Sequence, residues 1–196
     1  MLFVDVGASG GIHKRWLKID CDKILFEPNP KSYKSLLDKY DDVRQIALGA
    51  TKGRIDLNIC RGRKVTSLLE PNREYHDKYR KANRFDIIEK IEVELDTLDN
   101  QVPNVDFLKI DTQGYDYQVL LGAKNQLDTI QAIEIEVLFA PYYKKQSKGG
   151  DIDKLLRGHG FKLHKLDEHF RDGPTWSNYL YYRDSILVEA IYRGVI

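Results

Sequence analysis

Only two cysteines, Cys21 and Cys60, occur in 196 residues. Two thiols build no disulfide framework, and their scarcity predicts a reducing compartment. No apolar run approaches the roughly 20 residues of a membrane-spanning helix. The opening run is too short for a signal peptide and is interrupted by Asp5, so no leader is expected. An excess of either charge is missing too: 31 Lys and Arg face 30 Asp and Glu, a formal net charge of +1. Nothing global therefore draws the chain to nucleic acid or to a membrane surface. There is no internal repeat and no linker that would split the chain, and His159, His164 and His169 lack the spacing of zinc ligands. What is present, 42% hydrophobic and 31% charged residues, predicts one globular domain over residues 1–196, soluble and cytoplasmic.

The chain is organised around its start, Leu2-Phe3-Val4-Asp5-Val6-Gly7-Ala8-Ser9-Gly10-Gly11. An apolar run reaches an acid, breaks into a glycine-rich turn and enters a segment, Ile12 to Ile19, with apolar residues at helical spacing. Strand, glycine turn and helix in that order describe the first crossover of a nucleotide-type α/β domain. Gly7, Gly10 and Gly11 would let backbone N–H groups approach a ligand closely; the plainer reading is a tight turn with no ligand. The spacing G-x-G-x-x-G is absent, and Asp5 would repel a pyrophosphate. S-adenosylmethionine carries cationic amino and sulfonium groups instead, which an acid favours. Glu27 ends the next apolar run, Ile24-Leu25-Phe26, where such folds place an acid that binds ribose. Two acids at adjacent strand ends favour S-adenosylmethionine over NAD.

Further along, Pro28-Asn29-Pro30 starts a helix presenting Tyr33, Leu36, Leu37 and Tyr40 on one side. A strand is predicted over Val43 to Leu48 and another over Arg54 to Ile59. Residues 61–90 are expected to be a lid or insertion. Its basic part, Arg61 to Arg84, would favour an anionic substrate if it covers the site, and is otherwise a solvated loop. Ile91 to Leu95 reads as a strand. Asp106 to Asp111 is an apolar strand ending in an acid, followed by Thr112-Gln113-Gly114 and a helix from Tyr115 to Gln126 with Val119, Leu120 and Ala123 inward. Ala132 to Phe139 carries Glu134 and Glu136 on one face, which a strand end opening on a site would explain. Asp151 caps a helix ending at Gly158-His159-Gly160, strands follow at Phe161 to Leu166 and Tyr179 to Arg183, and Ser185 to Ile196 reads as a short helix. This alternation predicts an open twisted α/β sheet with helices on both faces and a hairpin-like close.

On these residues the chain resembles the FkbM-type family of S-adenosylmethionine-dependent methyltransferases. The matching stretches are Phe3 to Ala8, Phe26 to Pro30, Ser67 to Asn72, Phe107 to Gly114, Leu121 to Ala123 and Ile133 to Val137. The resemblance implies a Rossmann-like sheet of order 3-2-1-4-5-7-6, mostly parallel, whose seventh strand is antiparallel. It also implies O-methylation of a sugar, glycan or secondary metabolite. The chain departs from the family at Gln113, where many members carry Glu. It also starts almost on its first strand, without N-terminal helices that often cover the substrate. Acceptor recognition is then expected from Arg61–Arg84, the Tyr142–Gly150 loop, the tail or a partner chain, and an oligomer is possible.

The turn Gly7, Ala8, Ser9, Gly10 is expected against the methionine portion of the cofactor, with Asp5 at its amino end. Glu27, beside Pro28, would accept from the ribose hydroxyls, and Ala47 and Leu48 would lie beside adenine. A hydroxyl acceptor needs a base within hydrogen-bond reach. Asp111 is the first candidate, with a cofactor contact or helix capping as its other roles. Glu136 follows, alternatively paired with Lys109, and then His13, alternatively solvent-facing. Asp111 with Glu134 or Glu136 could take Mg²⁺ through oxygens, although nothing in the spacing demands a metal. A non-catalytic cofactor-binding subunit, an NAD-dependent oxidoreductase and a nucleic-acid methyltransferase are the competing classes. The basic segment with Tyr75, Tyr79 and Phe85 favours the last, and the missing Asn-Pro-Pro-Tyr turn opposes it.

Overall fold

The computed structural model describes residues 1–79, 82–170 and 174–183. The expected C-terminal helix over Ser185 to Ile196 lies outside them. In chain order the elements are β1 (Leu2–Val6), α1 (Lys14–Leu17), β2 (Asp22–Phe26), α2 (Pro30–Leu37), β3 (Asp42–Arg44), β4 (Ala47–Leu48), β5 (Gly53–Cys60), α3 (Arg73–His76), β6 (Ile87–Asp96), α4 (Leu98–Gln101), β7 (Phe107–Ile110), α5 (Asp116–Leu121), β8 (Ala132–Leu138), α6 (Gly149–Gly158), β9 (Lys162–Phe170) and β10 (Pro174–Tyr182).

Seven strands form one sheet in the order β3-β2-β1-β7-β8-β10-β9. The pairs β1·β2, β2·β3, β1·β7 and β7·β8 are parallel, whereas β10 runs antiparallel to both neighbours. This is the mostly parallel Rossmann-like sheet expected from the sequence, with the expected order. The strands nearest the middle alternate. Val4, Val6, Leu108, Ile110, Ile133 and Ile135 pack on one face against Leu98, Val119, Leu120, Ile152 and Leu156 from α4, α5 and α6. On the other face Phe3, Leu25 and Phe107 pack against Trp16 and Leu36 from α1 and α2.

Several boundaries differ from those read off the sequence. The helix expected over Ile12 to Ile19 is a single turn capped by His13, whose Nδ1 accepts from the Arg15 N–H at 3.4 Å. Ile12 lies outside this turn, its N–H donating to the Tyr40 hydroxyl at 3.0 Å. The apolar spacing still delivers Ile12, Trp16 and Ile19 to the interior. In α2, Leu36 is buried but Leu37 is exposed, because eight residues present only a narrow stripe to the sheet.

The strand expected over Val43 to Leu48 is split. β3 stays in the main sheet, and β4 crosses to a second sheet of order β4-β6-β5. There β4 runs parallel to β6, while β5 and β6 form an antiparallel pair from Gly53↔Leu95 to Cys60↔Ile87. The strands expected at Arg54–Ile59 and Ile91–Leu95 therefore build a separate sheet, and the segment between them projects beside the strand ends. β9 and β10 also extend toward each other, so that the looser run expected over His169 to Ser177 is largely strand.

Candidate active site

The chain leaves β1 outward to β2 and β3 and returns through β7 on the other side of β1. The carboxyl ends of β1, β2 and β7 therefore meet at the topological switch point, where open α/β sheets bind ligands. A cavity of about 530 Å³, part of it open to solvent, lies there. Val6, Gly7 and Ser9 line it from β1, Phe26 to Asn29 from β2, Ile46 to Leu48 from the crossing segment, and Asp111 and Thr112 from β7. Leu57 and four residues of the 61–90 segment, Arg63, Thr66, Ser67 and Leu68, complete the wall. Seven expected site residues thus meet here: Gly7, Ser9, Glu27, Pro28, Ala47, Leu48 and Asp111.

Gly7 is required by backbone packing. Its φ is +85°, and a Cβ would lie 2.0 Å from the Asp111 carbonyl oxygen. The Gly7 and Ala8 N–H groups donate to the Phe26 carbonyl, and that of Gly11 to the Ala8 carbonyl, so these three are engaged within the fold. Ala8 is buried under α1, and Gly10 is exposed with open space beside it.

Glu27 is 4% exposed. Its Oε1 accepts from the Asn29 N–H at 2.8 Å, and Oε2 has no hydrogen-bond partner among the described residues. Burial pushes its carboxyl up to about 7, against the charge-stabilising N–H of Asn29, with Asp5 and Asp111 adding to the rise and Arg63 opposing it.

Asp5 does not line the cavity. It lies fully buried beneath the turn, where Oδ1 accepts from Lys109 Nζ at 3.1 Å and Oδ2 is without a partner among the described residues. Burial raises its carboxyl above the usual range despite Lys109. Burial also works against the Lys109 ammonium, but Asp5 and Asp111 together hold it above the usual lysine range. Lys109, weighed in the sequence as a partner of Glu136, instead reaches Asp5, with Asp111 Oδ2 at 3.8 Å. The register explains this: Lys109 lies opposite Asp5 on β1 and Glu134 on β8, one row below Glu136.

The two same-facing glutamates divide. Glu134 Oε2 accepts from Trp16 Nε1 at 2.6 Å and from Arg15 at 3.2 Å, a structural pairing with α1. Glu136, behind the cavity wall, accepts at Oε2 from Gln113 Nε2 at 2.8 Å. The same Nε2 donates to Asp111 Oδ1 at 2.9 Å. Burial, reinforced by Asp111 and Asp116, raises the Glu136 carboxyl well above its usual range and favours its protonated form. His13 is exposed at its cap position and away from the cavity lining.

The turn after β7 is held by Asp116, whose carboxylate accepts from the Thr112 N–H, the Thr112 hydroxyl and the Gly114 N–H at 2.9, 2.9 and 3.0 Å. Burial pushes the Asp116 carboxyl up to about 6, opposed by the Thr112 donors. The 61–90 segment joins this turn through the Ser67 hydroxyl, which donates to the Gln113 carbonyl at 2.8 Å. Three of its bases are matched by acids of the same segment, Arg61 and Arg73 with Asp86, Arg73 also with Asp77, and Lys90 with Glu70, which Lys144 from the later loop also reaches. Its rings are also engaged, with His76 stacked on Phe85 and Tyr142, and Tyr75 against Tyr79 and Tyr142. Arg63 lines the cavity and has no ion pair among the described residues. Among the described residues no group of three or more His, Cys, Asp or Glu could hold a metal ion. Gln113 turns an amide donor, not an oxygen, between Asp111 and Glu136, so this pair does not fit Mg²⁺.

The sequence matches the methyltransferase FkbM domain over residues 5–163. The chain belongs to the FkbM methyltransferase family. The methyltransferase FkbM of Methylobacillus flagellatus is 15% identical with a TM-score of 0.57, the match covering 92% of this chain and 42% of that one. The chain thus spans less than half the length of that relative. The magnesium protoporphyrin IX methyltransferase of Synechocystis, solved with bound S-adenosylmethionine, is 9% identical with a TM-score of 0.49 over 94% of this chain and 70% of its own. A putative tRNA (m1A22) methyltransferase of Streptococcus pneumoniae is 10% identical with a TM-score of 0.47 over 98% and 69%. No curated protein matches the sequence.

S-adenosylmethionine is the cofactor of this FkbM domain, and the cavity fits it on its own chemistry. Glu27 offers one carboxylate oxygen without a hydrogen-bond partner among the described residues, suited to a ribose hydroxyl. Ile46, Ala47, Leu48, Leu57 and Leu68 provide apolar surface for a base. A pyrophosphate would meet two carboxylates, Glu27 and Asp111, at a turn whose Gly7, Ala8 and Gly11 N–H groups are already committed. Arg63 and Tyr143 fall in the two segments expected to recognise the acceptor, whereas sequence reasoning overlooked Gln113, Ser67 and Asn29 as contacts. For Asn29 a signal existed, since it follows Glu27 by two. The others depend on a segment whose path no local pattern encodes.

Proposed function

We propose that this chain is an O-methyltransferase acting on a hydroxyl of a sugar, glycan or small metabolite, with an acidic acceptor favoured. The observation that carries the reading is the division of labour between the two carboxylates in the cavity wall. Glu27 faces the apolar pocket suited to a nucleoside, and Asp111 stands at the end of β7 on the other side of Gly7. When bound, the cofactor supplies an activated methyl group on a sulfonium, whose displacement leaves a neutral thioether. The protein's part is to orient, to exclude water and to manage one proton.

Glu27 holds the ribose and so sets the position of the nucleoside. Asp111, whose side chain is 35% exposed, takes the acceptor's hydroxyl proton as the oxygen attacks. Arg63, facing the same cavity without an ion pair among the described residues, supports an acceptor bearing a carboxylate or phosphate. The 61–90 segment acts as the lid over that acceptor. The packing of its rings against one another counts against a surface that stacks bases of a nucleic acid.

Calorimetric titration with S-adenosylmethionine, S-adenosylhomocysteine and NAD tests the cofactor. A screen of hydroxyl acceptors weighted to sugar acids and sugar phosphates, read by mass increase of a methyl group, tests the reaction. Asp111→Asn is expected to reduce turnover at least tenfold while leaving S-adenosylhomocysteine affinity within about twofold. Binding of NAD alone would overturn the cofactor assignment, and full activity of Asp111→Asn would remove Asp111 as the base. Cofactor binding with methyl transfer to no acceptor would favour a binding subunit.

A further inference from the structure

Gln113 lies at the centre of the turn after β7, yet the reaction as described does not use it. Its φ is +56°, in the left-handed region that a residue with a Cβ enters only when its surroundings over-determine it. Four hydrogen bonds do so. Nε2 donates to Asp111 Oδ1 and to Glu136 Oε2, at 2.9 and 2.8 Å. Oε1 accepts from the Tyr143 hydroxyl at 3.2 Å, and the backbone carbonyl accepts from the Ser67 hydroxyl at 2.8 Å.

The orientation of the amide follows from chemistry. An amide NH₂ only donates and an amide oxygen only accepts, so with the Tyr143 hydroxyl at Oε1 the nitrogen faces Asp111 and Glu136, each through an oxygen that can accept. Tyr143 can supply that proton because burial keeps its hydroxyl protonated. Its one proton lies between two acceptors, Gln113 Oε1 and the Val65 carbonyl at 2.9 Å. The 61–90 segment therefore touches Gln113 twice, directly through Ser67 and by way of Tyr143 through Val65. At the other end, Asp111 Oδ1 is occupied by the amide. Asp111 also shares a side-chain hydrogen bond with Glu136, and its Oδ2 lies 3.8 Å from Lys109 Nζ.

We propose that Gln113 is a positioning residue, an amide clamp through which the 61–90 segment holds Asp111 with Oδ2 turned to the acceptor hydroxyl and Glu136 beside it. Lining the base up in this way lowers the entropic part of the barrier, which a free carboxylate rotor would raise. The clamp rests on the reading of Asp111 as base, and two readouts keep the two claims apart.

The first needs no acceptor. In ¹⁵N-labelled protein, with the resonance assigned by its loss in Gln113→Leu, both side-chain amide protons of Gln113 are expected to exchange at least tenfold more slowly than those of exposed Gln45. The second uses the hydroxyl acceptor found in the screen. Gln113→Leu and Gln113→Met, which keeps the length but loses the amide, should each lower kcat at least tenfold. KM for S-adenosylmethionine and affinity for S-adenosylhomocysteine should stay within twofold. Fast exchange of the Gln113 amide, or kcat within twofold of wild type in a folded Gln113→Met, would overturn the clamp. Failure of the wild type to bind S-adenosylhomocysteine would instead overturn the cofactor reading, leaving the amide signature to judge the clamp.

Discussion

The two faces of the central strands are built from the same residues read alternately, yet they are chemically opposite. On one face Val4, Val6, Leu108, Ile110, Ile133, Ile135 and Val137 join one apolar cluster. On the other, Asp5, Lys109 and Glu134 stand in one row across β1, β7 and β8, and Asp111 and Glu136 follow two residues on. The first face holds the domain together by burial alone. The second buries charge, which is tolerable only where each group finds a partner, and its incompletely partnered members cluster toward the cavity. The difference separates what keeps the protein folded from what it can do.

Four substitutions break or sharpen that contrast. The largest expected effect is Lys109→Met, which leaves Asp5 buried without its cation and should cost about 3–5 kcal/mol of stability near pH 8. The loss should be smaller near pH 5. There the Asp5 carboxyl, already raised by burial, takes up a proton and removes the uncompensated charge. Urea denaturation at both pH values measures it, and an equal loss would show that the Asp5 charge is not the cause. On the apolar face, Leu108→Ala should cost about 2–5 kcal/mol through the cavity it leaves. That loss should not change with pH, and S-adenosylhomocysteine affinity should persist in whatever fraction stays folded.

Smaller, and in binding more than in folding, is Glu27→Gln. It should weaken S-adenosylhomocysteine at pH 8 at least tenfold, about 1.4 kcal/mol. The wild type should bind more tightly as pH rises through about 7, because the ionised carboxylate is the better acceptor, while the variant should be flat. Stability of the ligand-free protein runs the other way. With the folded carboxyl at about 7 and an ordinary value of 4.5, the native state holds more protons between those values, so stability falls as pH rises through that window. Calorimetry and denaturation on one pH series test both signs. Least of all, Arg54→Ala removes an exposed pair with Glu92 on the second sheet and should change stability by less than ~0.5 kcal/mol.

Much of the main sheet was legible because its determinants are local. Apolar runs ending in an acid and then a turn, at Phe3 to Gly7 and at Phe107 to Gly114, announce parallel strands whose ends face a site. Period-2 alternation announced the strand that carries Glu134 and Glu136. Local pattern erred where a partner strand decides the outcome. Val43 to Leu48 reads as one strand because all of it is compatible with extension. Pairing with Leu95 and Asp96 is what pulls Ala47 and Leu48 out of the main sheet. Ile12 to Ile19 has helical spacing, yet Ile12 lies outside α1, its N–H donating to the Tyr40 hydroxyl from beyond α2.

The same boundary divides the site. By itself the sequence determined the open α/β alternation and the acids at the ends of β1, β2 and β7, which follow from residue order within a few positions, while the strand order came with the family resemblance those motifs carry. Only the tertiary structure decided that Asp5 is a buried partner of Lys109 while Glu27 and Asp111 face the cavity. The same holds for the division between Glu134, held by Trp16 and Arg15, and Glu136, held by Gln113. These outcomes depend on which side chains from distant segments arrive at one point, and on whether burial leaves an oxygen there without a partner. Residue order sets which atoms are available; packing decides which of them remain free to react.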